Sequence, residues 1–310
     1  DLHRVDRRQR QMCIRDRAIM VGGASFSSVV SAQSVLDKVK SNKQIIVGAR
    51  EAAPPYGFID SDGTWKGWSM DLSRAIHGVI EKKLDMKIDL VFKPITPATR
   101  IPLIINGTLD WVLGTTGRSV KRESVVDFSV INNGVCVEKL SAKNSGINTT
   151  ADLAGKRVGV TKGSNEERYI TALGVSGKLD PPATIVAFDK HSTGFLALSQ
   201  GKTDAHVTLK DTLVSMANKS PNPDNWHVNG PSLFCNLNGI ILPEDDSDWK
   251  DMVDHSLCYF ISTGGYEKLW DEWFSGENPK AGYEKVQSDT VRTLVYNQCS
   301  WGAEKFLSKS

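Results

Sequence analysis

The chain has 310 residues, 40 % of them apolar and 24 % charged, which excludes a mostly disordered protein and leaves room for two domains of ordinary size. Its net charge of +2 comes from residues 1–32, where six arginines face three aspartates; the remainder sums to −1 and lacks the basic, aromatic-interleaved stripe expected of a nucleic-acid binder. No apolar run reaches the ~18 to 20 residues of a membrane helix, so the mature chain is not expected to be integral to a membrane.

The first stretch, Ala18 to Ser31, is apolar and rich in small residues and ends in Val30-Ser31-Ala32. It reads as a secretory signal cleaved before Gln33. The residues before it, with Arg7-Arg8 and Met12-Cys13-Ile14-Arg15-Asp16-Arg17, resemble translated linker sequence more than a native leader and are set aside from fold reasoning. Export places Cys136, Cys235, Cys258 and Cys299 in an oxidising compartment, where three disulfide pairings are open. No cysteine follows the cleavage site, so no lipid anchor is indicated. The absence of CxxC and HxxxH spacings argues against a metal, and no cofactor motif is legible.

From Gln44 onward, extended runs alternate with helical patterns. Gln44 to Gly48 reads as a strand, and Leu72, Ala75, Ile76, Val79 and Ile80 give an amphipathic helix. Ile88 to Phe92 is a strand, Arg100 to Asn106 a short helix closed by Gly107, and Leu109 to Leu113 a strand. A second series follows: strand Arg157 to Thr161, a helix opened by Lys162-Gly-Ser-Asn165, strand Thr184 to Phe188, helix Ser192 to Gln200, and strand Ala205 to Leu209. Two helical patterns, Trp249 to Ile261 and Tyr266 to Phe274, precede a polar tail with Cys299; their aromatics are expected in the core. The pattern is α/β, in two similar halves. Asp60-Ser-Asp-Gly63 reads as a turn, since the remaining ligands of a calcium loop are missing.

Such a fold binds ligands beyond the carboxyl ends of its strands. Four junctions there stand out. Arg50 precedes a rigid Pro54-Pro55 turn that presents Tyr56. Arg100 sits on the first turn of a helix, where the helix dipole disfavours a cation and a nearby anion would explain it. Gly114-Thr-Thr-Gly117 is followed by Arg122, hydroxyls and a forked guanidinium that suit a carboxylate. Gly163-Ser164-Asn165 opens a helix, as an anion-binding N-terminus does, without the spacing of a phosphate loop.

The order and spacing of these motifs, with Gly67-Trp-Ser-Met-Asp71, Asp127-Phe-Ser, Asp152-Leu-Ala-Gly-Lys156 and Gly264-Gly-Tyr-Glu-Lys-Leu-Trp270, resemble the periplasmic amino-acid-binding proteins of ABC importers over roughly residues 43 to 275. Ala49-Arg50-Glu51, the Thr96 to Leu103 segment, the Gly114-to-Arg122 loop, His191 and Pro223-Asp-Asn-Trp226 point to the glutamate/aspartate-binding branch.

That resemblance implies a two-lobed periplasmic-binding-protein fold of type II, a Venus flytrap whose lobes are mainly parallel sheets flanked by helices. Lobe one would comprise residues 33–131 plus 240–310 and lobe two residues 132–239. It further implies a monomeric, periplasmic receptor, not an enzyme, that closes on a small anionic ligand and docks on an ABC importer permease in the inner membrane. By motif, Arg122 would hold the ligand α-carboxylate with Thr115, Thr116 and Ser164; Arg50, Arg100 and His191 would hold a side-chain carboxylate; Tyr56 would wall the pocket. Three departures bear on the ligand. Lys210 stands where the resemblance implies an acidic acceptor for the ligand ammonium, Pro97 replaces a hydroxyl, and Gly117 is followed by Arg118. Together they make the pocket more cationic and point to an amine-free di- or tricarboxylate, unless Asp211 takes the acceptor role after a one-residue shift that turns Lys210 away. A periplasmic lyase or dehydratase on the same fold is the reading from another class.

Overall fold

In the computed structural model, residues 33–228, 230–277, 279–300 and 303–307 are described, so the expectations for the signal and leader lie outside the described residues. Two sheets organise the chain. The first has the spatial order Asp89–Ile95, Gln44–Arg50, Trp111–Val112, Ile241–Leu242, Asp127–Phe128. Gln44–Arg50 pairs in parallel with both neighbours, while Ile241–Leu242 returns antiparallel from late in the chain. The second sheet has the order Thr184–Phe188, Arg157–Thr161, Ala205–Leu209, Asn133–Ala142, Trp226–Val228, with Phe234–Asn238 also paired to Asn133–Ala142.

The long strand Asn133–Ala142 is antiparallel to Ala205–Leu209, so this sheet is mixed where a mainly parallel one was expected. Its sequence hides it: the interior carries Glu138 and Lys139, both fully buried and paired with each other at 3.8 Å, which breaks the apolar run of a core strand. A small antiparallel sheet, Ala52–Ala53, Gly57–Ile59 and Trp65–Lys66, was also not anticipated; strands of two or three residues show no period.

The helix Trp68–Leu84 buries Leu72, Ile76, Val79 and Ile80 along one face, and its last turn carries Lys82 and Lys83, which suits the negative end of its dipole. Ser247–Ser262 and Gly265–Trp270 follow as expected and continue into a π turn, Asp271–Ser275. Trp68 meets Tyr266 edge-on at 5.9 Å and Trp270 lies 4.7 Å from Phe274, so these aromatics are core, each worth about 1.5 to 3 kcal/mol in burial. Among the described residues no helix is long and apolar enough to cross a membrane.

The tail is more than polar chain. It contains the helix Asp289–Asn297 and is bound to Ser247–Ser262 by a Cys258–Cys299 disulfide, while Cys136–Cys235 joins directly opposed residues of neighbouring strands. Gln298 ties this end to the backbone of Ile131, accepting from its N–H at 2.9 Å.

Candidate functional site

Most candidate side chains leave the carboxyl end of a strand, where backbone groups are released from the ladder, while Arg122 lies on the short helix Val120–Glu123. Arg50 ends Gln44–Arg50; Arg100 follows Asp89–Ile95 across the turn at Thr96 to Thr99; Thr115 follows Trp111–Val112. From the second sheet, Ser164 follows Arg157–Thr161 and His191 follows Thr184–Phe188. These residues converge on one cleft, lined by Arg50, Arg100, Thr115, Arg122, Ser164 and His191 together with Pro97, Gly117, Asn165, Glu166, Leu209 and Asn236.

The electrostatics of the cleft are dominated by three guanidiniums. Arg50 is 9 % exposed, Arg100 and Arg122 are each 5 % exposed. Burial pulls Arg50 and Arg122 down to about 10. Arg100 is held well below its ordinary value by burial first and then by the charges of Arg122 and Arg50. Arg122 spends one N–H on the Gly117 carbonyl at 2.7 Å, whereas Nε of Arg100 is buried with no hydrogen-bond partner. Buried cations in this state are costly unless an anion joins them.

His191 is 2 % exposed and faces these cations; burial, then Arg50, hold its ring well below the usual imidazole range, so it is neutral at pH 7. Its Nδ1 lies 2.7 Å from Thr161 Oγ1 and 3.1 Å from Thr208 Oγ1, while Nε2 is buried without a partner. A Thr161 hydroxyl that donates to Nδ1 would leave the ring hydrogen on Nε2, free to donate.

The turn carrying Ser164 is fixed by a reciprocal cap. Ser164 Oγ accepts from the Glu167 N–H at 3.1 Å, and Glu167 Oε2 accepts from the Gly163 N–H at 2.6 Å, which starts the helix Asn165–Val175. Gly163 is obligatory there: φ is +75° and a Cβ would stand 2.9 Å from the Ala98 backbone. Gly117 answers to a similar approach, since a Cβ would lie 2.6 to 2.7 Å from the Asn236 side chain. The bare glycine admits Asn236, whose Oδ1 accepts from Asn165 Nδ2 at 3.3 Å.

Four expected residues lie outside this lining. Thr116 is buried behind it, and Tyr56 is fully buried with Oη donating to Asp211 Oδ2 at 2.6 Å. Lys210 is exposed and borders a second cavity beside the tail. The one-residue shift does turn Lys210 away and bury Asp211, yet the Asp211 carboxylate is engaged by Tyr56 and by Lys285 Nζ at 2.7 Å. Arg118 is likewise exposed and paired with Glu123 at 2.7 Å. The extra cationic character expected from Lys210 and Arg118 is therefore not found in the cleft, where a carboxylate, Glu166, stands instead.

Glu166 and Asn236 were not anticipated, and Asn165 was read only as part of the helix start. Glu166 is 5 % exposed, and Thr208 Oγ1 donates to its Oε1 at 3.1 Å. In sequence it reads as one of two acidic residues favoured by a helix N-terminus, and Glu167 takes that role. A second carboxylate beside the capping one was the available signal.

Two sheets joined by crossing segments, with buried cations gathered between their carboxyl edges, define a two-lobed binding protein for a small anion. The chain belongs to the bacterial extracellular solute-binding proteins, family 3, whose model matches residues 45–276. It is 32 % identical over 252 residues to the glutamate/aspartate import solute-binding protein of Escherichia coli K12, covering 80 % of this chain and 82 % of that one. To the L-glutamate/L-aspartate-binding protein of Pseudomonas aeruginosa it is 30 % identical over 297 residues, covering 92 % of this chain and 98 % of that one. Among solved structures, an ancestral arginine-binding protein bound to arginine superposes with a TM-score of 0.68 at 28 % identity, over 75 % of this chain and 98 % of that one.

Proposed function

We propose that the protein is an extracytoplasmic receptor of an ABC importer that captures an acidic amino acid, glutamate or aspartate, between its lobes and releases it unchanged to a membrane permease. The observation that carries this reading is the convergence of three buried guanidiniums, Arg50, Arg100 and Arg122, on one cleft. One α-carboxylate needs a single forked partner; three call for a second carboxylate. The names of the Escherichia coli and Pseudomonas aeruginosa relatives support the same substrate class.

In this reading Arg122, Thr115 and Ser164 take the α-carboxylate, with Thr116 supporting the loop from behind. Arg50, Arg100 and the Nε2 of His191 take the side-chain carboxylate. Tyr56 acts at one remove, by holding Asp211. The lobes comprise residues 33–131 with 240–310 and residues 132–239, hinged where the chain passes from one sheet to the other. The protein works as a periplasmic monomer, and closure of the lobes is the signal read by the permease.

A thermal-shift screen of the chain against glutamate, aspartate, glutamine, succinate, glutarate and citrate tests this. Glutamate or aspartate is expected to raise the melting temperature most, because a ligand that prefers the folded form stabilises it by mass action. A shift with citrate alone, or with glutamine in preference to glutamate, would contradict the assignment.

A further inference from the structure

An acidic amino acid brings an ammonium as well as two carboxylates, and on the reading proposed above we infer that Glu166 receives it. Glu166 shares the cleft with Arg50, Arg100 and Arg122 and, among the described residues, is the only carboxylate in its lining. The carboxylate at the next strand end, Asp211, already accepts from Tyr56 Oη at 2.6 Å and Lys285 Nζ at 2.7 Å and borders a different cavity. Lys210 beside it is exposed and would repel an amine.

Without Glu166, an ammonium entering the cleft would meet three guanidiniums, a neutral imidazole and the neutral oxygens of Thr115, Ser164, Asn165 and Asn236, with no negative charge to offset its own. Glu166 is held for the task. The cap between Ser164 and Glu167 fixes its turn, and Thr208 Oγ1 fixes one carboxylate oxygen at 3.1 Å. Burial pushes its carboxyl up, while Arg50 and Arg100 pull it back toward the charged form. The acceptor has thus moved from the end of one strand, where Lys210 now stands, to the first turn of a helix on the neighbouring strand.

A different role is conceivable for the same residue, that of diluting the repulsion among three arginines, and calorimetric titration separates the two. The full chain and its Glu166→Gln variant would be titrated with L-glutamate, L-aspartate and the amine-free glutarate and succinate. The inference expects wild type to bind glutamate at least about tenfold more tightly than glutarate, and Glu166→Gln to lose about that factor for the amino acids while holding or gaining affinity for the diacids. If the variant tightens every ligand, Glu166 only dilutes charge and the inference falls. A uniform loss for all four, or equal wild-type affinity for glutamate and glutarate, overturns it as well. The wild-type comparison stands even where the variant does not fold. Wild type that binds neither amino acid would bring down the reading of the substrate itself, a different failure from wild type that binds both but ignores the amine.

Discussion

At the scale of single residues, the cleft is a site that opposes its own stability. Arg100 is buried with Nε unpartnered and lies in the field of Arg122 and Arg50. Replacing it by methionine, which keeps the stem and removes the charge, is expected to stabilise the ligand-free protein by about 1 to 2 kcal/mol while abolishing acidic amino-acid binding. Urea denaturation with and without glutamate would check both halves; a destabilised ligand-free variant would contradict the strain. His206 provides a second residue-scale test. Fully buried, its imidazole is pushed down to about 4 from the usual 6.5, chiefly by desolvation. As pH falls below about 6.5 the unfolded chain takes up a proton that the folded one refuses, so stability is lost between about 6.5 and 4 and levels off below. The loss amounts to about 3 kcal/mol. A His206→Leu variant should lack that slope, so the stability gap to wild type narrows on acidification; parallel pH profiles would rule it out.

At the scale of elements, the tail makes a claim on the site's neighbourhood. Lys285 bridges to Asp211 and Tyr56 Oη and lies about 5.5 Å from the ring centres of Tyr56 and Phe274. A largely enclosed pair that loses one member leaves an uncompensated charge on Asp211, so Lys285→Met should cost about 1 to 3 kcal/mol by chemical denaturation, and an unchanged midpoint would contradict the assignment. This contact explains why part of the site was legible in sequence and part was not. Arg50, Arg100, Thr115, Ser164 and His191 follow strands whose apolar runs are legible, and strand ends fix where side chains go, while Arg122 was marked by the hydroxyl-bearing loop before it. Asp211 also follows such a strand, yet its partner lies 74 residues away in a segment with no apolar period. Asn236 belongs to Phe234–Asn238, a strand with exposed and half-buried residues alternating and polar groups at the half-buried Asn236 and the buried Asn238, so no pattern marked it as structure. Glu166 was hidden differently, by a helix start that accounts for acidic residues without any ligand.

For the whole molecule, polar contacts are among those that bridge the parts built on the two sheets. Glu51 pairs with Lys190 at 2.5 Å, Tyr56 with Asp211, and Gly163 abuts Ala98. A ligand that neutralises the cations gathered between the sheets adds to these contacts. The central claim is that one acidic amino acid satisfies both sets of arginines at once. A crystal structure of the protein grown with L-glutamate tests it most directly. The account expects one glutamate between the lobes, its α-carboxylate on Arg122, its side-chain carboxylate on Arg50 and Arg100 and its ammonium on Glu166. Glutamate bound elsewhere, or an ordered cleft left to solvent at saturating glutamate, would contradict it.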